Sequence, residues 1–201
     1  ANDGDTDNDG TPDSSDDDDD NDNLDDTVDF LTGNVTNVDS DELTLLINHT
    51  SNSSFPFEGS TELRFFKDDE ELLDFDFTFA NATRLLLDNV SIKTENDTAD
   101  AGGIVIQGLQ GISKTVYINN LTTYHGVCIK NQSTSEISQV NGSCTGESEF
   151  FVDCPGSRNG VTCASNGTKL KVSGITHSAL TQLNDTIAPI VSAITTPESG
   201  N

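Results

Sequence analysis

Apolar and polar residues alternate with a period of two along much of the chain beyond residue 30, and this pattern restricts the fold more than any other feature. Residues 75–79, 90–93 and 170–173 show it most clearly, and such alternation is typical of half-buried β-strands. Further strands are predicted at residues 42–47, 62–67, 84–88, 103–107, 114–119, 124–129, 135–140, 148–153 and 177–183. Short strands separated by polar turns predict an all-β protein, an antiparallel β-sandwich of the Ig-like or jelly-roll style.

A right-handed β-helix is the alternative fold. Similar apolar segments recur at residues 90–92, 104–106 and 116–118, although this spacing is short for a complete coil. Helical periodicity is scarce. Residues 68–73 could form one compact helix, but the sequence Lys-Asp-Asp-Glu-Glu at 67–71 favours an exposed hairpin turn.

The N-terminal segment, residues 1–29, holds 14 aspartates and no lysine, arginine or glutamate. The spacing of these aspartates matches positions 1, 3, 5, 9 and 12 of the EF-hand calcium loop. At position 7 that loop requires only a backbone carbonyl oxygen, which any residue can supply. The residues at those positions are Asp5, Asp7, Asp9, Thr11, Asp13 and Asp16, with Gly10 at the sharp turn of position 6.

A second copy of the same pattern begins at Asp18. Its members are Asp18, Asp20, Asp22, Leu24, Asp26 and Asp29. Asn23 stands where the first copy has Gly10, and asparagine is among the few other residues that readily adopt the left-handed conformation. Because so many carboxylates in tight loops repel one another unless a divalent cation lies between them, we expect about two or more calcium ions within residues 5–29.

These two loops resemble the thrombospondin type 3 repeat, in the cysteine-free, Asp-rich form found on prokaryotic secreted proteins. The resemblance rests on residues 5–13, Asp-Thr-Asp-Asn-Asp-Gly-Thr-Pro-Asp, and residues 16–23, Asp-Asp-Asp-Asp-Asp-Asn-Asp-Asn. It implies calcium binding on a secreted protein. The flanking helices of an EF-hand are not expected, because so short a repeat leaves no room for them, and this also excludes a dockerin.

Four cysteines, Cys128, Cys144, Cys154 and Cys163, lack the spacing of a metal site, and disulfides are expected. Of three possible connectivities we favour Cys128 with Cys144 and Cys154 with Cys163, because the second pair closes residues 155–160, whose sequence Pro-Gly-Ser-Arg-Asn-Gly is typical of a hairpin turn. Free thiols in a reducing cytosol are the alternative.

Eleven Asn-x-Ser/Thr sequons predict N-linked glycans, whereas random ordering of this composition would give about four. The acceptors are Asn34, Asn48, Asn52, Asn81, Asn89, Asn96, Asn120, Asn131, Asn141, Asn166 and Asn184. So many sequons indicate a densely glycosylated extracellular surface. Their combination with prokaryote-style Asp repeats is archaeal-like.

The net charge of −26 disfavours nucleic-acid partners and anionic membranes. No apolar run reaches the roughly 18 residues of a membrane helix, so direct membrane insertion is not expected. The chain begins at Ala1, as cleavage of a secretory signal would leave it. No nucleophile, acid–base pair or cofactor loop is recognisable, and we expect that the protein is not an enzyme. Asp74 and Asp76 share a strand face, where solubilising charge is expected.

Three segments are therefore expected: calcium-binding repeats at 1–29, a disulfide-containing glycosylated β-domain at 30–185, and a C-terminal strand or linker at 186–201. Residues 187–195 are apolar on both faces, as a strand covered on both sides is. This strand could be donated to a neighbouring subunit, or it could complete its own sandwich or lead into a further domain.

The leading functional hypothesis is a secreted structural subunit of a cell-surface filament or layer, which assembles with itself by strand donation or lateral contacts. A surface adhesin or carbohydrate-binding module is the alternative, and a secreted hydrolase is a weaker one.

Overall fold

The computed structural model describes residues 4–21, 23–33, 35–40, 42–51, 59–80, 83–95, 102–121, 125–176 and 179–183. Within them the strands are β1 (Leu31–Thr32), β2 (Leu43–Ile47), β3 (Gly59–Lys67), β4 (Glu70–Phe79), β5 (Leu85–Leu86), β6 (Ser91–Thr94), β7 (Gly103–Gln107), β8 (Lys114–Asn119), β9 (Gly126–Lys130), β10 (Glu149–Asp153), β11 (Gly156–Arg158), β12 (Val161–Asn166), β13 (Lys169–Ile175) and β14 (Ala179–Leu183). No helix in these ranges is long and apolar enough to cross a membrane. The predicted C-terminal strand at 186–201 lies outside them.

Two antiparallel sheets form a β-sandwich, which confirms the predicted all-β fold. One sheet has seven strands in the order β11-β12-β13-β8-β4-β3-β2, and the other has five in the order β10-β9-β14-β7-β6. The short strands β1 and β5 form a separate parallel pair. The β-helix alternative is wrong, because β6 and β7 pair antiparallel in one sheet whereas β8 belongs to the other.

The main core lies between the two sheets. Phe65 and Val116 from the seven-stranded sheet and Ile92 and Ile129 from the five-stranded sheet belong to one cluster, and all four are fully buried. Along β8 buried and half-buried residues alternate strictly, because successive side chains of a strand point to opposite faces. The period-two pattern in the sequence is therefore the pattern of this core.

Two strands of the five-stranded sheet are buried on both faces. Strands β7 and β9 each hold four consecutive buried residues. On the face away from the main core, Val105, Cys128 and Ala179 form a second cluster with Val140 and with the partly buried Ile137. The segment that covers this face lies between β9 and β10 and contains Ile137, Val140 and Cys144, and the disulfide between Cys128 and Cys144 ties this covering segment to β9.

Some expected strands differ in the structure. Residues 135–140 belong to the covering segment. They contain a 3-10 turn at Ile137–Gln139, which the side chains of Glu136 and Gln139 cap. Residues 84–88 contain only the two residues of β5 before another 3-10 turn, Leu87–Asn89. The sequence does not predict β1, β11 or β12. Of these, β1 and β11 are only two and three residues long. Within the expected strands at 124–129 and 177–183, residues 124 and 177–178 lie outside the described ranges.

Two expected hairpin turns are present. Asp68 and Asp69 connect β3 to β4 with φ angles of 51° and 62°, so residues 68–73 do not form a helix. Asn159 and Gly160 connect β11 to β12. The disulfide between Cys154 and Cys163 closes the second hairpin, as the favoured cysteine pairing predicts.

Candidate cation-binding loops

The Asp-rich segment folds into two consecutive loops, here called the first loop (residues 4–16) and the second loop (residues 17–29). In the first loop, the backbone N–H of Asp13 donates to the carbonyl oxygen of Gly4 at 3.0 Å. In the second loop, the backbone N–H of Asp26 donates to the carbonyl oxygen of Asp17 at 2.9 Å. Asp26 corresponds to Asp13 in the sequence repeat, and Asp17 corresponds to Gly4, so the sequence repeat is also a repeat of backbone structure.

The left-handed residues of the two loops repeat in the same way. Asn8 and Asn21 have φ angles of 61° and 55°, and Gly10 and Asn23 have φ angles of 101° and 75°. The prediction that Asn23 takes the left-handed conformation of Gly10 is confirmed. Left-handed residues at fixed places bend the chain sharply, as the tight turn of a calcium loop requires.

Three carboxylates of the first loop converge. Asp5, Asp7 and Asp9 each place one carboxylate oxygen within 4.8 Å of the others. Backbone hydrogen bonds orient two of them, because the N–H of Asp9 donates to Oδ1 of Asp7 at 2.9 Å and the N–H of Thr11 donates to Oδ1 of Asp9 at 2.7 Å. Oδ1 of Asp5 is buried and accepts no hydrogen bond. A divalent cation fits this set of oxygens, since it would satisfy that atom and offset the repulsion.

The other two predicted ligands of the first loop make hydrogen bonds within it. The carboxylate of Asp13 accepts from the backbone N–H of Thr6 at 2.8 Å and from its hydroxyl at 3.1 Å. Oδ1 of Asp16 accepts from the N–H of Asp18 at 3.1 Å. In the structure, Asp13 therefore braces the loop, while Asp5, Asp7 and Asp9 converge.

The second loop repeats the hydrogen bond from a backbone N–H to the carboxylate. Oδ1 of Asp26 accepts from the N–H of Asp19 at 3.1 Å, as Asp13 accepts from Thr6. Oδ2 of Asp18 accepts from the N–H of Asn23 at 3.0 Å.

Other predicted ligands of the second loop have different surroundings. Asp29 is 3 % exposed, and its Oδ1 accepts from the N–H of Leu31. Asp22 lies outside the described residues, and Leu24 is half-buried. Among the described residues, the second loop does not bring three carboxylates as close together as Asp5, Asp7 and Asp9.

Asp19 is a residue that the sequence prediction missed. Burial raises its pKa to about 6, and the nearby carboxylates of Asp26, Asp13 and Asp16 act in the same direction. Its Oδ1 is buried and accepts no hydrogen bond. Asp19 occupies the position of Thr6 in the repeat, so the EF-hand template assigns it no role. The signal in the sequence is the unbroken run of five aspartates at 16–20, which adds acidic residues between the template positions.

The described sequons lie at strand ends and turns. Five of their asparagines are exposed: Asn48, Asn89, Asn131, Asn141 and Asn166. The sixth, Asn120, is half-buried, and its Nδ2 donates to Oγ of Ser165 and to the carbonyl oxygen of Gly167, both at 3.1 Å. The acceptors Asn34, Asn52, Asn81, Asn96 and Asn184 lie outside the described residues.

A surface cavity of about 640 Å³ opens where β4 extends beyond the start of β8. Asp74, Asp76, Phe77 and Lys114 line it together with several hydroxyl side chains. Asp76 is exposed, as expected, but Asp74 is half-buried and accepts from the hydroxyl of Tyr117 at 2.8 Å. The expectation that both carboxylates only provide solubilising charge is therefore incomplete for Asp74.

Lys114 is a buried cation at the edge of this cavity. The residue is 2 % exposed, and its Nζ donates to the carbonyl oxygens of Leu109 at 2.9 Å and Ile112 at 3.0 Å. Burial lowers the pKa of Lys114 to about 8.

Comparison with protein-family models, with curated proteins and with solved structures finds no match to this chain. Function is therefore inferred from the geometry of its own residues.

Proposed function

We propose that the chain is a secreted, calcium-binding, N-glycosylated structural subunit of a cell-surface filament or layer, without catalytic activity. The observation that carries the proposal is the repeated geometry of the two Asp-rich loops. Hydrogen bonds and left-handed residues recur at the interval of the sequence repeat, and the first loop gathers Asp5, Asp7 and Asp9 within 4.8 Å. Calcium suits such sites because it accepts six to eight oxygen ligands in flexible geometry.

Calorimetric titration of the full chain with calcium tests this step. We expect saturable binding of at least two ions. Asp7→Asn, which keeps the side-chain shape but removes a converging charge, should remove or weaken one of them. Asp153→Asn is the matched control, because Asp153 is an exposed aspartate on β10, outside the Asp-rich loops. A chain that shows no saturable calcium binding, or that loses as much affinity with Asp153→Asn, would contradict the proposal.

The exposed sequons support glycosylation, and the two disulfides support secretion. Five sequon asparagines are exposed at turns and strand ends, where a transferase can reach them. Two disulfides in the β-sandwich are compatible with an oxidising compartment. Intact-mass measurement of native material, before and after deglycosylation, tests this part. A native mass equal to the 21.4 kDa of the polypeptide would refute it.

Self-assembly is supported by where the two ends of the described chain lie. β14 ends near the end of β8, because Nε2 of Gln182 donates to the carbonyl oxygen of Asn119. The Asp-rich loops contact Arg84, shortly after β4 ends, and β4 ends beyond the start of β8. The Asp-rich loops and the exit of the chain after β14 thus lie at opposite ends of the sandwich, which suits head-to-tail assembly.

Truncation after Asp185 distinguishes strand donation from lateral assembly. If residues 186–201 are donated to a neighbour, the truncated protein stays folded and no longer assembles, and added peptide 186–197 binds to it. Assembly that continues without these residues would favour lateral contacts. A truncated protein that unfolds as a monomer would show that the segment completes its own sandwich.

A carbohydrate-binding adhesin is the second candidate, and the cavity beside β4 favours it. Carboxylates such as Asp74 and Asp76 accept hydrogen bonds from sugar hydroxyls, and the neighbouring Phe77 offers an apolar surface. A glycan array probed with the wild-type protein and with Asp76→Ala tests it, since alanine removes the carboxylate without creating a sequon. Selective binding that Asp76→Ala abolishes and Asp153→Ala leaves intact would support the adhesin, whereas turnover of a bound glycan would support a secreted hydrolase.

A further inference from the structure

The second loop is attached to the β-sandwich through two of the predicted calcium ligands. Nη2 of Arg84 donates to the carbonyl oxygen of Asp26 at 2.5 Å, although the two residues are 58 positions apart in the chain. The backbone N–H of Gly33 donates to Oδ2 of Asp20. A change in the position of either aspartate would therefore disturb contacts outside the loop.

The chain enters the main core immediately after the second loop. Phe30 and Leu31 are 8 % and 1 % exposed and belong to the core cluster. The carbonyl oxygen of Phe30 accepts from the N–H of Leu85 at 2.9 Å, which holds β1 beside β5. Phe30 directly follows the buried Asp29, the last residue of the loop, whose carboxylate accepts from the N–H of Leu31 at 2.9 Å.

The following residues, 35–40, lie along an edge of the five-stranded sheet. Val38 is buried, and the N–H of Asp39 donates to the carbonyl oxygen of Val90 at 3.0 Å. Asp39 also forms a parallel bridge with Ser91, the first residue of the edge strand β6. Edge strands carry unpaired backbone groups that pair readily with other chains, and this segment covers part of that edge.

We propose that the second loop is a cation-operated latch, which holds residues 30–33 against β5 and residues 35–40 over the edge of β6 only when the loop binds a divalent cation. The inference rests on the calcium binding proposed above. Without the cation, the carboxylate of Asp19 is repelled by those of Asp26, Asp13 and Asp16, and the loop opens. Opening moves the attachment points at Asp20 and Asp26, so the contacts through Gly33 and Arg84 are lost together. Residues 30–33 and 35–40 then keep only their apolar contacts and the backbone hydrogen bonds of Phe30 and Asp39, and local opening exposes the edge of β6.

Hydrogen exchange of the full chain, measured by mass spectrometry in calcium and in excess chelator, tests the latch. Chelation should accelerate amide exchange at least tenfold in peptides that cover residues 30–40 and 85–95. A peptide that covers 161–175 is the internal control, because β12 and β13 pair with other strands of the seven-stranded sheet, away from this edge. Its exchange should not change.

Two arginine variants separate the latch from calcium binding itself. Arg84→Ala should bind as many calcium ions as the wild type, yet residues 30–40 should exchange fast even in calcium. Arg158→Ala is the matched control, because Arg158 also donates to a backbone carbonyl, that of Phe151, away from the Asp-rich loops. It should behave as the wild type does.

The outcomes distinguish the two proposals. If calorimetry shows calcium binding but chelation leaves exchange at 30–40 unchanged, the latch is wrong and calcium binding stands. If no calcium binds, the proposed function is wrong and the latch fails with it. The wild-type comparison decides between these results without a variant, so a loss of global stability in Arg84→Ala does not affect it. Calcium-dependent protection in Arg84→Ala equal to that of the wild type would overturn the role given to Arg84.

Discussion

Gly4 lies so close to Asp13 that a side chain on Gly4 would overlap with Oδ2 of that aspartate. The same two residues are joined by the backbone hydrogen bond that closes the first loop. A Cβ on residue 4 would therefore push away the Asp13 carboxylate, which accepts two hydrogen bonds from Thr6. Gly4→Ala should displace this carboxylate and loosen the first loop.

For Gly4→Ala we expect the calcium stoichiometry measured by calorimetry to fall by one ion. The free energy of unfolding of the β-sandwich in calcium should change by less than about 1 kcal/mol. Gly142→Ala is the matched control, because a Cβ there would meet no atom within 4 Å and the sequon at Asn141 is kept. Equal calcium binding by Gly4→Ala and the wild type would show that the first loop does not need this contact.

The buried Lys114 makes stability depend on pH in the alkaline range. Its pKa is about 8 in the folded protein and 10.5 when unperturbed, so the folded state releases this proton before the unfolded state does. The unfolded state then binds more protons between these pH values, and the free energy of unfolding rises with pH by up to about 3 kcal/mol. Below pH 8 this gain is absent.

Denaturant unfolding of wild type and Lys114→Met between pH 7 and pH 10, in excess calcium, measures this contribution. The free energy of unfolding of the wild type should increase relative to that of Lys114→Met as the pH rises. A difference that is independent of pH would contradict the lowered pKa of Lys114.

The β3–β4 hairpin contains two aspartates in a conformation that suits glycine better. Asp68 and Asp69 both have positive φ angles, whereas the corresponding turn between β11 and β12 has Gly160 at its second position. Asp69→Gly should stabilise the protein by about 1 kcal/mol, because the steric cost of a left-handed aspartate is removed. Gly160→Ala should destabilise it by a similar amount, and denaturant unfolding would show both. Destabilisation by Asp69→Gly would mean that the side chain makes a contact worth more than the strain.

The disulfide between Cys128 and Cys144 holds the segment that covers the outer face of the five-stranded sheet. The bond closes a loop with a sequence separation of 16 residues, for which chain-entropy arguments give about 3 kcal/mol. The double variant Cys128→Ser with Cys144→Ser should lose about this much stability and become sensitive to protease within residues 131–148. If cleavage occurs first in the seven-stranded sheet, the covering segment is held mainly by Ile137 and Val140.

Sequence alone predicts those parts of the fold in which burial differs between the two faces of a strand. It predicts β8 well because its buried residues alternate. It fails at residues 135–140, where Ile137 and Val140 are three positions apart and pack from a 3-10 turn. In so short a segment the pattern of apolar residues does not distinguish a helical turn from a strand. Strand β11 contains no large apolar side chain, so its pairing with β12 depends on the turn and the disulfide.

For the candidate site, a template of ligand spacing identifies which residues face inward but not which contacts they make. Asp5, Asp7 and Asp9 converge because alternate residues of a tight loop point the same way. Asp13 occupies a ligand position in the same template and braces Thr6 instead, since backbone N–H groups compete for its oxygens. The contact of Arg84 with Asp26 joins residues 58 positions apart, and no local pattern carries it.

Asn120 differs from the other described sequons, and we expect it to remain unmodified in native material. Its Nδ2 donates both of its hydrogens, to Oγ of Ser165 and to the carbonyl oxygen of Gly167. Attachment of a glycan to Nδ2 replaces one of these hydrogens and breaks a contact between the end of β8 and the β12–β13 turn. Asn166, the last residue of β12, is exposed and should be modified. Glycopeptide mass spectrometry reports the occupancy of each site. Full occupancy at Asn120 would contradict this expectation, because the glycan would then be transferred before β8 packs against the turn.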